Sequence, residues 1–172
     1  SARLYLIGNH DIIQEQLKLF PKIKSKNFEI VNTSQIVLAD DRPSRILKEK
    51  PDSSMIKSIN LLNDNVVDAV ISAGNTGCLL ASSFFKLGTI QNIKRPALVA
   101  FIPSENGNFL ICDVGANSSA KPIHLLQFSK MASIYIKNHF NITNPKIGLL
   151  NIGLEKNKGN ELVKESYNLM QE

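Results

Sequence analysis

Three times in this sequence an apolar run stops at a glycine and a helix-forming stretch begins. The turns are Ala73-Gly74-Asn75-Thr76-Gly77, Asp113-Val114-Gly115-Ala116-Asn117-Ser118-Ser119, and Asn151-Ile152-Gly153 through Lys158-Gly159-Asn160. A chain that alternates strand and helix in this way is expected to be α/β with a mainly parallel sheet. The run at residues 66–73 is rich in β-branched side chains, and that at 146–152 is nearly as apolar, so both read as strands buried on two faces. With parallel strands, all three turns fall at the edge of the sheet where such folds bind ligands.

The remaining pattern fits. Residues 3–8 and 28–31 read as strands, with a helix over 11–20 between them. Residues 40–51 read as a polar loop and a helical turn. Asp52-Ser53-Ser54 offers caps for a helix over 55–62, whose Ile56, Ile59 and Leu62 share one face. Helices are expected over 79–87, 122–140 and 160–171, the long one with Pro122 at its first position. Residues 97–102 and 108–113 read as a hairpin around the turn-forming 103–107. We expect one α/β domain over 1–172. Because the sequence opens without Met and enters a strand by Arg3, that domain is expected to be part of a longer chain.

Charge narrows the function classes. Sixteen of the 20 cations are Lys and four are Arg, a poor set for reading nucleic acid. The net charge of +5 goes with many Asn and Ile, and so reflects overall composition more than a binding surface. No apolar run reaches the roughly 18 residues of a membrane span. Cys78 and Cys112 lack metal or redox spacing and read as small core residues, which fits a reducing cytoplasm.

The three turns carry the chemistry. A helix N-terminus offers unpaired N–H groups and a partial positive charge. Gly74, Gly77 and Gly115 let the backbone approach an anion. Asn75, Thr76, Asn117, Ser118 and Asn160 add neutral polar groups, and Lys121 and Lys158 add charge. Taken singly, each glycine reads as a turn residue, each Asn as a cap and each Lys as solvated surface. Taken together they favour a site for phosphate or a developing oxyanion. Neither G-x-x-x-x-G-K-[ST] nor G-x-G-x-x-G occurs, so a P-loop and a dinucleotide fingerprint are both excluded.

His124, in the first turn of the long helix beside Lys121, is a candidate for proton transfer. Its structural reading is a half-buried ring against Gln127 or Phe128. Cys78 follows Gly77 at a helix start, with no His nearby in sequence to activate it. His10 and His139 read as surface residues. No cluster has metal-ligand spacing, and no cofactor is expected.

At these residues the sequence resembles the bacterial acyl-ACP:phosphate acyltransferases of phospholipid synthesis (the PlsX family). The resemblance runs through Asp68-Ala69-Val70-Ile71-Ser72-Ala73-Gly74-Asn75-Thr76-Gly77, Asp113-Val114-Gly115-Ala116-Asn117, and Lys121-Pro122 with His124-Leu125-Leu126-Gln127-Phe128. It continues through Asn144-Pro145, Gly148-Leu149-Leu150-Asn151-Ile152-Gly153 and Lys158-Gly159-Asn160-Glu161-Leu162. Asp52-Ser53-Ser54-Met55 and Arg95-Pro96-Ala97-Leu98 also fit. The family's opening Asp-Ala-Met-Gly-Gly-Asp strand and its C-terminal portion are not in these residues. Ser118-Ser119 stands where relatives commonly carry Val-Asp, and Ile123 where they tend to carry Glu.

The resemblance implies transfer of a fatty acyl group from acyl carrier protein to inorganic phosphate. It also implies a Rossmann-like three-layer sandwich related to isocitrate dehydrogenase and phosphotransacetylase, a homodimer, and a cytoplasmic enzyme loosely associated with the inner face of the membrane. Phosphate is already a nucleophile, so orientation and preorganised donors would supply most of the acceleration. Gly74, Asn75, Thr76, Gly77, Gly115, Asn117, Ser118 and Asn160 would bind substrate; Lys158, Lys121 and His124 would be the catalytic set. A phosphotransacetylase-like enzyme using coenzyme A and a non-catalytic anion-binding module are the alternatives. A nicotinamide dehydrogenase is a distant third.

Overall fold

The computed structural model describes residues 2–23, 27–105, 107–153, 155 and 158–171. They form two compact units, Ser1–Gly88 and Thr89–Glu172.

In the first unit, β1 (Leu4–Gly8) pairs in parallel with β2 (Phe28–Asn32), in register from Leu4 opposite Phe28 to Gly8 opposite Asn32. The crossover between them carries α1 (His10–Lys18). This helix starts where the sequence supplies a cap, for the Asn9 side chain accepts from the N–H groups of Asp11 and Ile12, both at 3.0 Å. Next come α2 (Ile46–Glu49), α3 (Ser54–Asn63) and α4 (Thr76–Leu87). Ser53 is the N-cap of α3, accepting from Ile56 N–H. Ile46, Met55, Ile56, Ile59 and Cys78 make the core, with Val37, Leu47 and Leu79 packed on it. The α3 part of that core follows from 3.6-residue periodicity.

In the second unit, β3 (Val99–Ser104) and β4 (Gly107–Cys112) form an antiparallel hairpin. Then come α5 (Pro122–Phe140) and α6 (Glu161–Gln171). Pro122 sits at the start of α5, and Asn141 closes it in the left-handed conformation, φ 56°. Phe101 of β3 meets Phe140 and Tyr135 of α5, with ring centroids 4.9 and 5.7 Å away.

The fold is thus mixed α/β, with a parallel pair and helices, as expected. The expected hairpin and helices form at nearly the expected bounds. Two expected strands do not form. Residues 66–73 and 146–152 join no ladder among the described residues. They are not buried either: Ile71 is 99% exposed, Leu150 92% and Ile152 88%. A strand exists only by pairing its N–H and C=O groups. No described neighbour offers that pairing, so the apolar pattern alone does not make a strand. No described helix is long and apolar enough to cross a membrane.

Candidate functional site

The first turn lies in the first unit, at the start of α4. Asn75 is its N-cap, with Oδ1 accepting from Cys78 N–H at 3.0 Å. Its Nδ2 donates to the carbonyls of Leu38 and Ala39, both at 3.1 Å, and of Asp41 at 3.3 Å. Asn75 therefore spends both ends of its side chain holding the 38–41 loop against the helix, and is not a spare donor for an anion. The N–H groups of Thr76 and Gly77 meet no acceptor among the described residues. Gly74 and Gly77 are close-approach positions: a Cβ would come 3.2 Å from Met55 Cε at Gly74 and 3.0 Å from Pro43 Cγ at Gly77. The same loop holds a half-buried ion pair, Lys50 Nζ to Asp41 Oδ2 at 2.5 Å. The Lys50 hydrogen bond and the Leu38 N–H hold the Asp41 carboxyl below its usual range. Cys78 is fully buried; burial, then the Asp41 charge, pushes its thiol up, away from a reactive thiolate.

The second turn follows β4, and the 95–98 segment clamps it. Asp113 Oδ1 accepts from Leu98 N–H at 2.9 Å and Ala116 N–H at 3.1 Å. Its Oδ2 accepts from Asn117 N–H at 2.8 Å and Asn117 Nδ2 at 3.0 Å. Asn117 Nδ2 also donates to Pro96 O at 3.0 Å, and Arg95 Nη1 to Ser119 O at 2.9 Å. Burial alone would raise the Asp113 carboxyl. The hydrogen bonds from the Asn117 side chain and from the Leu98, Asn117 and Ala116 backbone outweigh it and hold the group below its ordinary value. Asp113 thus occupies a place the glycine turn seemed to reserve for an outside anion. Reading the Asp as the start of an Asx turn would have found this. Gly115 has φ +108° with open space around it. Ser118 is exposed. Cys112, before the turn, is pushed up to about 11 by burial, then by Asp113.

Lys121 and His124 open α5. His124 Nδ1 accepts from Lys121 N–H at 3.1 Å, and the ring is only 5% exposed. Burial comes first, then the charges of Arg95, Lys121 and Lys94; all hold the imidazole below its ordinary value. The ring is a neutral cap, with Nε2 left to carry its proton. Gln127, one turn on, accepts from Lys94 N–H at 3.0 Å and donates to Asn92 O at 2.6 Å. Spacing had placed Gln127 only beside the histidine.

In the third turn, Asn151 Nδ2 donates to Lys158 O at 3.2 Å, and Asn160 Oδ1 accepts from Val163 N–H at 3.0 Å to cap α6. Gly159, at φ +92°, is obligatory, because a Cβ would run into the Asn151 carboxamide. Lys158 is exposed, its side chain beside Gly153. Within this unit the second turn and the 146–150 run share a cavity of about 870 Å³ lined by Asp113, Asn117, Lys146 and Leu150 among others. A smaller one, about 400 Å³, lies against Asn151, Gly159 and Asn160.

A putative phosphate acyltransferase of Clostridium perfringens is 40% identical over 172 residues, which is 100% of this chain and 50% of its own length. A phosphate acyltransferase of Clostridium botulinum is 44% identical over 168 residues, 98% of this chain and 50% of its own. One of Thermoanaerobacterium thermosaccharolyticum is 42% identical over 170 residues, 99% and 50%. The chain thus spans about half the length of the curated relatives it matches. The family described as "Fatty acid synthesis protein" matches residues 1–172, and the chain belongs to that family.

Proposed function

We propose that the protein carrying these residues transfers a fatty acyl group from acyl carrier protein to inorganic phosphate. A phosphate oxygen attacks the thioester carbonyl, the C–S bond breaks, and the carrier thiol leaves with the proton that phosphate gives up. The product is an acyl phosphate for phospholipid synthesis. The observation that carries this reading is the 39–44% identity, spread over nearly the whole chain, to proteins named phosphate acyltransferase.

The contacts support the following roles. The N–H groups of Thr76 and Gly77 lie at a helix N-terminus and suit an anion. Gly74, Gly115, Asn117, Ser118 and Asn160 shape the turns, and Asn75 holds the first of them in place. Lys158 and Lys121 supply charge. His124, neutral and built into a cap, retains only the Nε2 side for proton transfer. A lysine-bearing rim would steer an acidic carrier. The 172 residues would form part of one α/β domain in a three-layer sandwich, within a cytoplasmic homodimer that touches the inner face of the membrane.

The test is the full-length protein with phosphate and either acyl carrier thioester or acyl coenzyme A, trapping acyl phosphate with hydroxylamine. Acyl phosphate formed from the carrier thioester and dependent on phosphate supports the reading. Faster turnover of the coenzyme A thioester sinks the carrier assignment, and no acyl phosphate from either sinks the reaction.

A further inference from the structure

Where the 92–98 segment passes the second turn, the fold gathers three cations around the start of α5. Arg95 is fixed by its bond to Ser119 O, two residues before Lys121. Lys94 is fixed through its N–H on Gln127, one helical turn beyond His124. Lys121 is fixed through its N–H on His124 Nδ1. None of the three forms an ion pair among the described residues. The Asp113 carboxylate in the same turn keeps its charge, but its oxygens are spent on the N–H groups of Leu98, Ala116 and Asn117 and on the Asn117 side chain. Lys121 is the N-cap of the 19-residue α5, Lys94 is bound through its N–H to Gln127 of that helix, and the helix N-terminus adds positive potential of its own. Holding like charges together costs free energy unless an anion offsets it. Lys94 and Lys121 are exposed and held through their backbones alone, so Arg95, whose guanidinium is itself bound, is the cation with a fixed charged group.

We propose that Lys94, Arg95 and Lys121, at the start of α5, form a binding site for a phosphate group, with Arg95 as its principal contact. The identity of the anion rests on the acyl-transfer reading; the site itself rests on the cluster. Arg95 suits this role because its planar fork can keep one N–H on Ser119 O and offer others to phosphate oxygens. Inorganic phosphate and the phosphodiester of a carrier-bound arm share this chemistry.

The experiment uses the full-length protein, wild type against Arg95→Gln, Lys94→Gln and, as a control away from the cluster, Lys130→Gln. Inorganic phosphate binding is measured by calorimetry, and acyl phosphate formation with varied carrier thioester. A charge-assisted contact predicts that Arg95→Gln weakens phosphate by roughly tenfold or more, Lys94→Gln by less, and Lys130→Gln not at all. Arg95→Lys reports on folding: an unchanged Tm with partial recovery of affinity supports direct contact. A carrier KM raised about tenfold with phosphate affinity intact assigns the site to the carrier's phosphodiester. Wild-type activity with no change in either constant in Arg95→Gln overturns the site and leaves the reaction standing. Phosphate affinity lost in Arg95→Gln, in a protein that makes no acyl phosphate, keeps the site and overturns the reaction.

Discussion

Burial, then the cations of Arg95, Lys121 and Lys94, hold the His124 imidazole below 6.5, its ordinary value. The unfolded chain takes up a proton there as the pH falls through that value, and the folded chain resists. The stability this neutral cap contributes is therefore full above pH 6.5 and lost as the pH drops below it, until the folded ring also titrates. His124→Gln keeps an acceptor for Lys121 N–H but cannot charge. Between about pH 7.5 and 5.5 its Tm should fall less than the wild type's; parallel curves would show that His124 does not carry this dependence. Two glycines separate conformational strain from collision. Gly115→Ala meets only an unfavourable φ in open space and should cost about 1–2 kcal/mol. Gly159→Ala meets a similar φ and also drives Asn151 off Lys158 O, so it should cost at least about 1 kcal/mol more in urea unfolding. Equal midpoints would mean that the Asn151 carboxamide simply moves aside.

The elements show which signals in a sequence carry structure. Helices α3 and α5 were legible because each carries its own start: Ser53 and Pro122. The hairpin was legible because both of its strands and its turn are consecutive. The runs at 66–73 and 146–152 were misread because a buried strand is defined by neighbours, and periodicity says nothing about which neighbours are there. The turns were legible in place but not in wiring. The glycine turns hold most of the candidate residues, yet spacing could not tell that Asn75 braces the 38–41 loop, or that Asp113 rather than a ligand satisfies the second turn. Arg95 stood out only through the family resemblance and Lys94 not at all, because what places them is contact with residues far along the chain. The Asp113 clamp yields a prediction of its own. Asp113→Ala leaves the N–H groups of Leu98, Ala116 and Asn117 without their acceptor, at a cost of about 2 kcal/mol by denaturant unfolding. A loss under about 0.5 kcal/mol would show that water replaces the carboxylate there.

In the molecule as a whole, the apolar side chains at 99%, 92% and 88% exposure are the least settled feature. Ile71, Leu150 and Ile152 stand on the two runs that lead into the first and third candidate turns. Scattered exposed apolar residues are ordinary, but these stand on runs whose apolar pattern is that of strands buried on both faces. The turns that would hold phosphate depend on those runs for their position, and a loosely held donor stabilises an oxyanion poorly. Two outcomes follow when the 172 residues are made alone and set beside the full-length protein. Backbone amides of 67–73 and 147–152 should exchange with solvent freely in the short chain and slowly in the long one. Acyl phosphate formation should fall in the short chain by a factor of about 10² or more, the loss seen when one preorganised donor is removed. In the full-length protein Lys158→Ala should lose turnover by a comparable factor of about 10²–10³ with little change in Tm, because the side chain is exposed and the role we propose for it is charge rather than packing. Near-normal turnover in Lys158→Ala would remove Lys158 from the site. Equal exchange and equal turnover in the two chains would show that the runs need no further neighbours, and that the turns are already held where the chemistry requires them.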